Sequence, residues 1–145
     1  KAIKIDNIFY DFDKYNIRPD AALELDKLVA TLTENPSIWI ELGSHTDSRA
    51  SDDYNLALSQ KRAEAAVNYI VTKGRINKNR ISARGYGETL LLNKCANGVE
   101  CSEEEHARNR RTEIKIMGYL IDGIPVQIKV SKKSSGRSLV EVVGY

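Results

Sequence analysis

Two stretches of helical periodicity, separated by one of strand periodicity, constrain this chain more than any other feature. After Pro19, apolar residues at Ala22, Leu25, Leu28, Val29 and Leu32 recur at helical intervals, and Asn35-Pro36 closes the segment. In SIWIELGSH, Ile38, Ile40 and Leu42 alternate with Trp39 and Glu41, which predicts a half-buried strand. Helical spacing returns with Leu56, Ala63, Ala66, Val67, Ile70 and Val71 as the expected buried stripe. Ser51, Asp52 and Asp53 suit the start of this second helix, and Gly74 its C-terminal cap.

The flanking segments complete the pattern. IKIDNIFYDFD is rich in strand formers and predicts a strand over residues 5–10, and another is expected over 80–85. An irregular loop, GETLLLNKCANGVEC, leads to a short helix in SEEEHARN, with Ser102 as its cap and three Glu residues at the positive end of its dipole. RTEIKIMGYLI and IPVQIKV flank Asp122-Gly123, a two-residue hairpin signal, and KKSSGR turns the chain once more into SLVEVVGY. The order β-α-β-α-β-(short α)-β with extra C-terminal hairpin strands predicts the α/β class: an α+β sandwich with both long helices on one sheet face.

With 145 residues, 41% of them hydrophobic, the chain suits a single core. Its 22 basic and 20 acidic residues are interspersed and leave a net charge of +2, which argues against nucleic acid as a partner. No run of about 18 apolar residues spans a bilayer. The chain opens at Lys1 with neither an initiator Met nor an apolar signal region, so it reads as part of a longer protein.

On the second helix, Asn55, Ser59 and Arg62 share one face, away from the expected apolar stripe, and the turn before the helix places Asp47 above that face. A carboxylate and a guanidinium a few ångströms apart suit a zwitterion, the carboxylate taking an ammonium and the guanidinium a carboxylate. The alternative is a solvated charged face in which Asp47 only braces its loop.

The stretch HTDSRASDDYNLALSQKRAEAAV resembles the signature of OmpA-like peptidoglycan-binding domains through Thr46-Asp47, Asn55, Leu58-Ser59 and Arg62-Ala63. FDKYNI, GYGE at residues 85–88 and NRRTEI at 109–114 follow in the family's order. The resemblance covers residues 5–117 and leaves 118–145 as a C-terminal β extension. It implies non-covalent binding of the peptidoglycan stem peptide through diaminopimelate, without cofactor or metal, on the periplasmic side of a Gram-negative outer membrane. Any attachment to that membrane would come from regions outside this chain. Carried over to this sequence, the groove comprises Thr46, Asp47, Asn55, Leu58 and Arg62, with Phe12, Asp13 and Lys14 closing its other side and Arg110 contributing. Because neither Asp47 nor Arg62 belongs to the expected stripe, removing either is expected to leave stability nearly unchanged. Two departures stand out: Ala50 replaces the family's usual Gly, and LLLN with a Cys-containing loop replaces the Pro that commonly follows GYGE. An oxidising periplasm would permit a disulfide between Cys95 and Cys101, the chain's two cysteines.

Other chemistries find less support. Ser44, His45 and Asp47 are near neighbours on one strand and turn, whereas a hydrolytic triad converges from separate elements. A thiol enzyme would use Cys95 or Cys101 with His106. Zinc would need both cysteines, His106 and His45, without the usual close cysteine spacing. A protein-interaction module with a vestigial groove is the other binding reading, and Lys129, Lys132, Lys133 and Arg137 mark where the extension would meet a partner.

Overall fold

The structure, a computed structural model, describes residues 8–9, 14–132 and 138–143. Its elements are β1 (Ile8–Phe9), α1 (Pro19–Glu34), β2 (Ile38–His45), α2 (Asp52–Thr72), β3 (Ile81–Gly87), α3 (Glu103–Ala107), β4 (Arg111–Ile121), β5 (Ile124–Lys132) and β6 (Ser138–Val143). The sheet runs β3-β2-β4-β5-β6, with β1 also pairing with β4. The α2 crossover makes β2 and β3 parallel, while β4 lies antiparallel to β2 from Ile38↔Tyr119 to His45↔Arg111. β4 runs unbroken through residues 117 and 118, so the boundary expected there falls inside a strand. At the β4–β5 hairpin, Asp122 and Gly123 have φ of 52° and 78°, the double left-handed turn that Asp-Gly favours.

The core lies between both helices and one sheet face. Ala21, Leu25, Leu28 and Leu32 of α1 and Ala66 and Ile70 of α2 pack with Ile40, Leu42, Ile76 and Ile81. Pro19 opens α1, where a missing N–H is harmless, and the Arg18 guanidinium pairs with Asp20 at 3.0 and 3.1 Å. In α1 the buried alanine is Ala21, whereas Ala22 is only partly buried.

Three local expectations are corrected. β2 is buried on both faces: Trp39 donates its indole N–H to the Val126 carbonyl at 3.0 Å, and Glu41 accepts the Tyr86 hydroxyl at 2.5 Å. The other sheet face is thus roofed along β2 by side chains such as Trp39 and Tyr86, which strand alternation alone does not register. Gly74 is not the left-handed residue at the end of α2; that conformation falls on Arg75, with φ of 56°. Gly74 is small because a Cβ would strike Val29 of α1 and lie 2.6 Å from the Ile70 carbonyl oxygen.

The third correction concerns the face that α2 buries. Leu56 is 51% exposed, whereas Asn55, Leu58, Ser59 and Arg62 are buried along with Ala63, Ala66 and Ile70. The N-terminal half of α2 packs against the glycines of β3: a Cβ on Gly85 would lie 2.5 Å from the Ser59 hydroxyl oxygen. Ser59 Oγ accepts the Gly87 N–H at 2.9 Å and donates to the Leu56 carbonyl at 2.8 Å. GYG therefore brings a strand backbone against a polar helix face, and the hydrogen bonds offset the burial of those polar groups.

Candidate functional site

The turn between β2 and α2 carries the site. Its first residues stay in register with the sheet, since Thr46 N–H donates to the Gly87 carbonyl at 2.9 Å. Ser51 then caps α2, its Oγ accepting the Tyr54 N–H at 3.1 Å. Between them Ala50 holds φ of 136°, a conformation suited to glycine, which fits the family's usual residue there.

This turn, the first half of α2 and the segment before β4 enclose a cavity of about 390 Å³. Thr46, Asp47, Asn55, Leu58, Arg62 and Arg110 all line it, as expected, and so do Arg49, Ala50, Ser51 and Tyr54. Phe12 and Asp13, expected on its far side, lie outside the described residues. Lys14 contributes its backbone: its carbonyl accepts Arg62 Nε at 2.7 Å, while Arg62 Nη1 donates to the His45 carbonyl at 3.4 Å. Arg62 is fully buried, contrary to the solvated or merely groove-facing residue its spacing suggested.

Asp47 is held by arginines that the sequence reading did not assign to it. Its Oδ2 accepts Arg49 Nη2 at 2.9 Å and Arg110 Nη1 at 3.0 Å, and its Oδ1 accepts the Arg49 backbone N–H at 3.0 Å. Both guanidiniums continue to Glu103, Arg49 at 2.9 Å and Arg110 at 2.6 Å. Burial pushes the Asp47 carboxyl up, but the Arg49 and Arg110 hydrogen bonds outweigh it and hold the group below the ordinary carboxylate range. Asn55 donates to Glu88 Oε1 at 2.8 Å, tying the helix face to GYGE. Burial, then the nearby Asp52 and Asp47 charges, raise Glu88 despite that bond. Thr46 Oγ1 is buried at this cavity without a hydrogen-bond partner among the described residues. Arg49, Tyr54 and Glu103 are the lining and bridging residues missed from sequence; Asp-x-Arg was the signal available for Arg49.

The loop after β3 is braced from beneath. Cys95 and Cys101 form a disulfide with Cα atoms 6.0 Å apart, and the Cys95 carbonyl accepts Ser48 Oγ from the Asp47 turn. Asn109 Oδ1 accepts the Leu92 N–H at 2.7 Å, and Arg111 Nη2 donates to the Leu90 carbonyl at 3.0 Å. In the NRR triplet, Asn109 and Arg111 thus hold the loop, while Arg110 reaches Asp47.

Among the described residues, His45 and His106 do not join the two cysteines in a cluster. Ser44 Oγ bonds Thr112 Oγ1 at 2.5 Å, and His45 stacks on Tyr86 with ring centroids 5.1 Å apart. His45 Nε2 lies 3.6 Å from Glu113, but burial, reinforced by Arg111, lowers its pKa to about 4 and keeps the imidazole neutral near pH 7. The disulfide commits both sulfurs that a thiol enzyme or a zinc site would require.

The OmpA family profile matches residues 9–110, which include the whole cavity wall. The chain belongs to the OmpA family. It is 34% identical over 113 residues to a peptidoglycan-associated lipoprotein of Rhizobium meliloti (strain 1021), covering 78% of this chain and 60% of that protein. With outer membrane protein A of Bordetella avium it shares 37% identity over 112 residues, covering 76% of this chain and 54% of the relative. The chain thus spans little more than half of each relative's length. Among solved structures, the peptidoglycan-associated lipoprotein from Burkholderia pseudomallei superposes with a TM-score of 0.66 at 26% identity, covering 76% of this chain and 88% of that one. The mixed α/β fold of this OmpA-family chain is therefore shared with that lipoprotein.

Proposed function

We propose that the cavity beside Asp47 and Arg62 binds the diaminopimelate residue of a peptidoglycan stem peptide, so that the chain tethers an outer membrane to the cell wall from the periplasmic side. The observation that carries this reading is the lining itself: a carboxylate and buried guanidiniums around one space of about 390 Å³. In this reading Asp47 takes the ammonium of diaminopimelate, and Arg62 takes its carboxylate with Arg110 nearby. Bonds to the Lys14 and His45 carbonyls pre-orient the Arg62 guanidinium, which lowers the entropic cost of gripping a carboxylate. Thr46 Oγ1 supplies a further polar contact, and Asn55 and Leu58 form the wall. Names of the relatives, peptidoglycan-associated lipoprotein and outer membrane protein A, support the same ligand and location. Residues 5–117 are the proposed binding unit.

Purified sacculi provide the test. The parent chain should co-sediment with them, and Asp47→Asn should stay in the supernatant, because losing one partner of a charge-assisted contact costs about 2–5 kcal/mol. A stem peptide with lysine in place of diaminopimelate keeps the ammonium but lacks the terminal carboxylate, and should bind much more weakly in calorimetry. Equal affinity for the two peptides would remove the role given to Arg62. Muropeptides incubated with the chain should be recovered intact, since the cavity offers charges for holding and no nucleophile poised by a base.

A further inference from the structure

We propose that Arg49 competes with the ligand's ammonium for Asp47 and gives way by swinging onto Glu103, so that it sets the affinity and selectivity of the groove. This inference rests on the reading of the groove as a diaminopimelate receptor. A carboxylate offers about four acceptor directions, and three of those on Asp47 are taken: two on Oδ2 by the Arg49 and Arg110 side chains, one on Oδ1 by the Arg49 backbone. An ammonium seated on Asp47 would meet two guanidiniums on the same carboxylate at close range, where like charges repel strongly in a partly buried site. One arginine has to withdraw.

The geometry points to Arg49. The Arg110 side chain is only 7% exposed, and its residue sits directly before β4. Arg49 is 34% exposed and belongs to a turn, and its Nη1 already contacts Glu103 Oε1 at 2.9 Å while Nη2 holds Asp47. Releasing Asp47 therefore leaves the Arg49 charge paired with a carboxylate that is itself 60% exposed and has room to follow it. The Arg49 backbone N–H keeps its bond to Asp47 Oδ1 throughout, so the turn persists when the side chain moves. A ligand must then supply a well-placed ammonium to replace the displaced guanidinium, which disfavours anions that would merely collect on the arginines.

Calorimetry of the full chain with a soluble diaminopimelate-containing muropeptide tests this. Arg49→Ala removes the competitor but keeps the backbone bond, and should tighten binding about threefold or more, the scale of a partly exposed ion pair. Arg49→Gln should act in the same direction and serves if the Ala variant melts early. Glu103→Gln, which takes away the receiving carboxylate, should weaken binding in the parent and have no such effect in the Arg49→Ala background. Unchanged or weaker binding by both Arg49 variants overturns the proposal, and an equal effect of Glu103→Gln in both backgrounds overturns the role of Glu103. Asp47→Asn separates the two readings. If it abolishes binding while the Arg49 variants do not tighten it, only the competition fails; if it binds like the parent, the diaminopimelate receptor fails as well.

Discussion

Ala50, in the turn before α2, and Arg62, on α2 itself, show how single residues lining the cavity affect stability. Ala50 holds φ of 136°, where its Cβ is strained and glycine is not. Ala50→Gly should therefore stabilise the chain by about 1 kcal/mol, read as a rise of a few degrees in thermal midpoint, in contrast to the usual loss when a loop gains a glycine. Arg62 reverses an expectation. Its removal looked harmless because it stands outside the apolar stripe, yet the residue is fully buried and satisfies the carbonyls of Lys14 and His45. Arg62→Ala should lower unfolding free energy in urea by about 2–4 kcal/mol, since buried acceptors lose their donors. Asp47→Asn, which keeps the side-chain shape, is accordingly the cleaner probe of binding.

Between elements, two devices join segments that the chain keeps far apart. Arg80, just before β3, donates to the carbonyls of Leu32 and Asn35 at the end of α1 and of Ile38 at the start of β2. Helix ends leave carbonyls without intrahelical partners, and a buried guanidinium satisfies them while favouring the negative end of the dipole. Arg80→Met should cost about 2–3 kcal/mol in urea unfolding while leaving the proposed sacculus binding unchanged. The second device is the Cys95–Cys101 disulfide, whose Cys95 carbonyl meets Ser48 on the Asp47 turn. Denatured, unreduced protein should show no titratable thiols from these two residues. Reduction should lower stability by about 2–3 kcal/mol in the chain-entropy account.

For the molecule as a whole, pH reports on the roofed sheet face. His45 is neutral when folded, with its pKa lowered to about 4 from 6.5 by burial and by Arg111. The unfolded chain binds a proton that the folded chain refuses between those two values, so stability falls as pH drops from about 6.5 toward 4. Above pH 6.5 this contribution is constant. The loss should approach about 3 kcal/mol by pH 4, measured by urea unfolding across the range, and His45→Gln should flatten the slope. Asp47 acts in the same direction at lower pH: its carboxyl is depressed, so its contribution is present at neutral pH and is lost as pH falls through the folded pKa.

Local regularities were legible in the amino-acid order. Helical and strand periods fixed α1, β2 and α2, Asp122-Gly123 fixed the hairpin, and Ser51 and Ser102 marked the helix starts, because each depends on neighbours within a few residues. Five residues of the family signature, Thr46, Asp47, Asn55, Leu58 and Arg62, line one cavity. Tertiary structure decided what those residues do there. Arg62 looked like a surface charge because its partner carbonyl at Lys14 is 48 residues away, and Asp47 looked available because Arg110 stands 63 residues further on. Periodicity ranks residues by hydrophobicity, so it placed Leu56 inside and left Asn55, Ser59 and Arg62 outside, whereas close approach by glycine backbone and carbonyl partners from distant segments reversed that order. A polar side chain is buried when its hydrogen bonds can be completed, and only the folded chain brings those partners together.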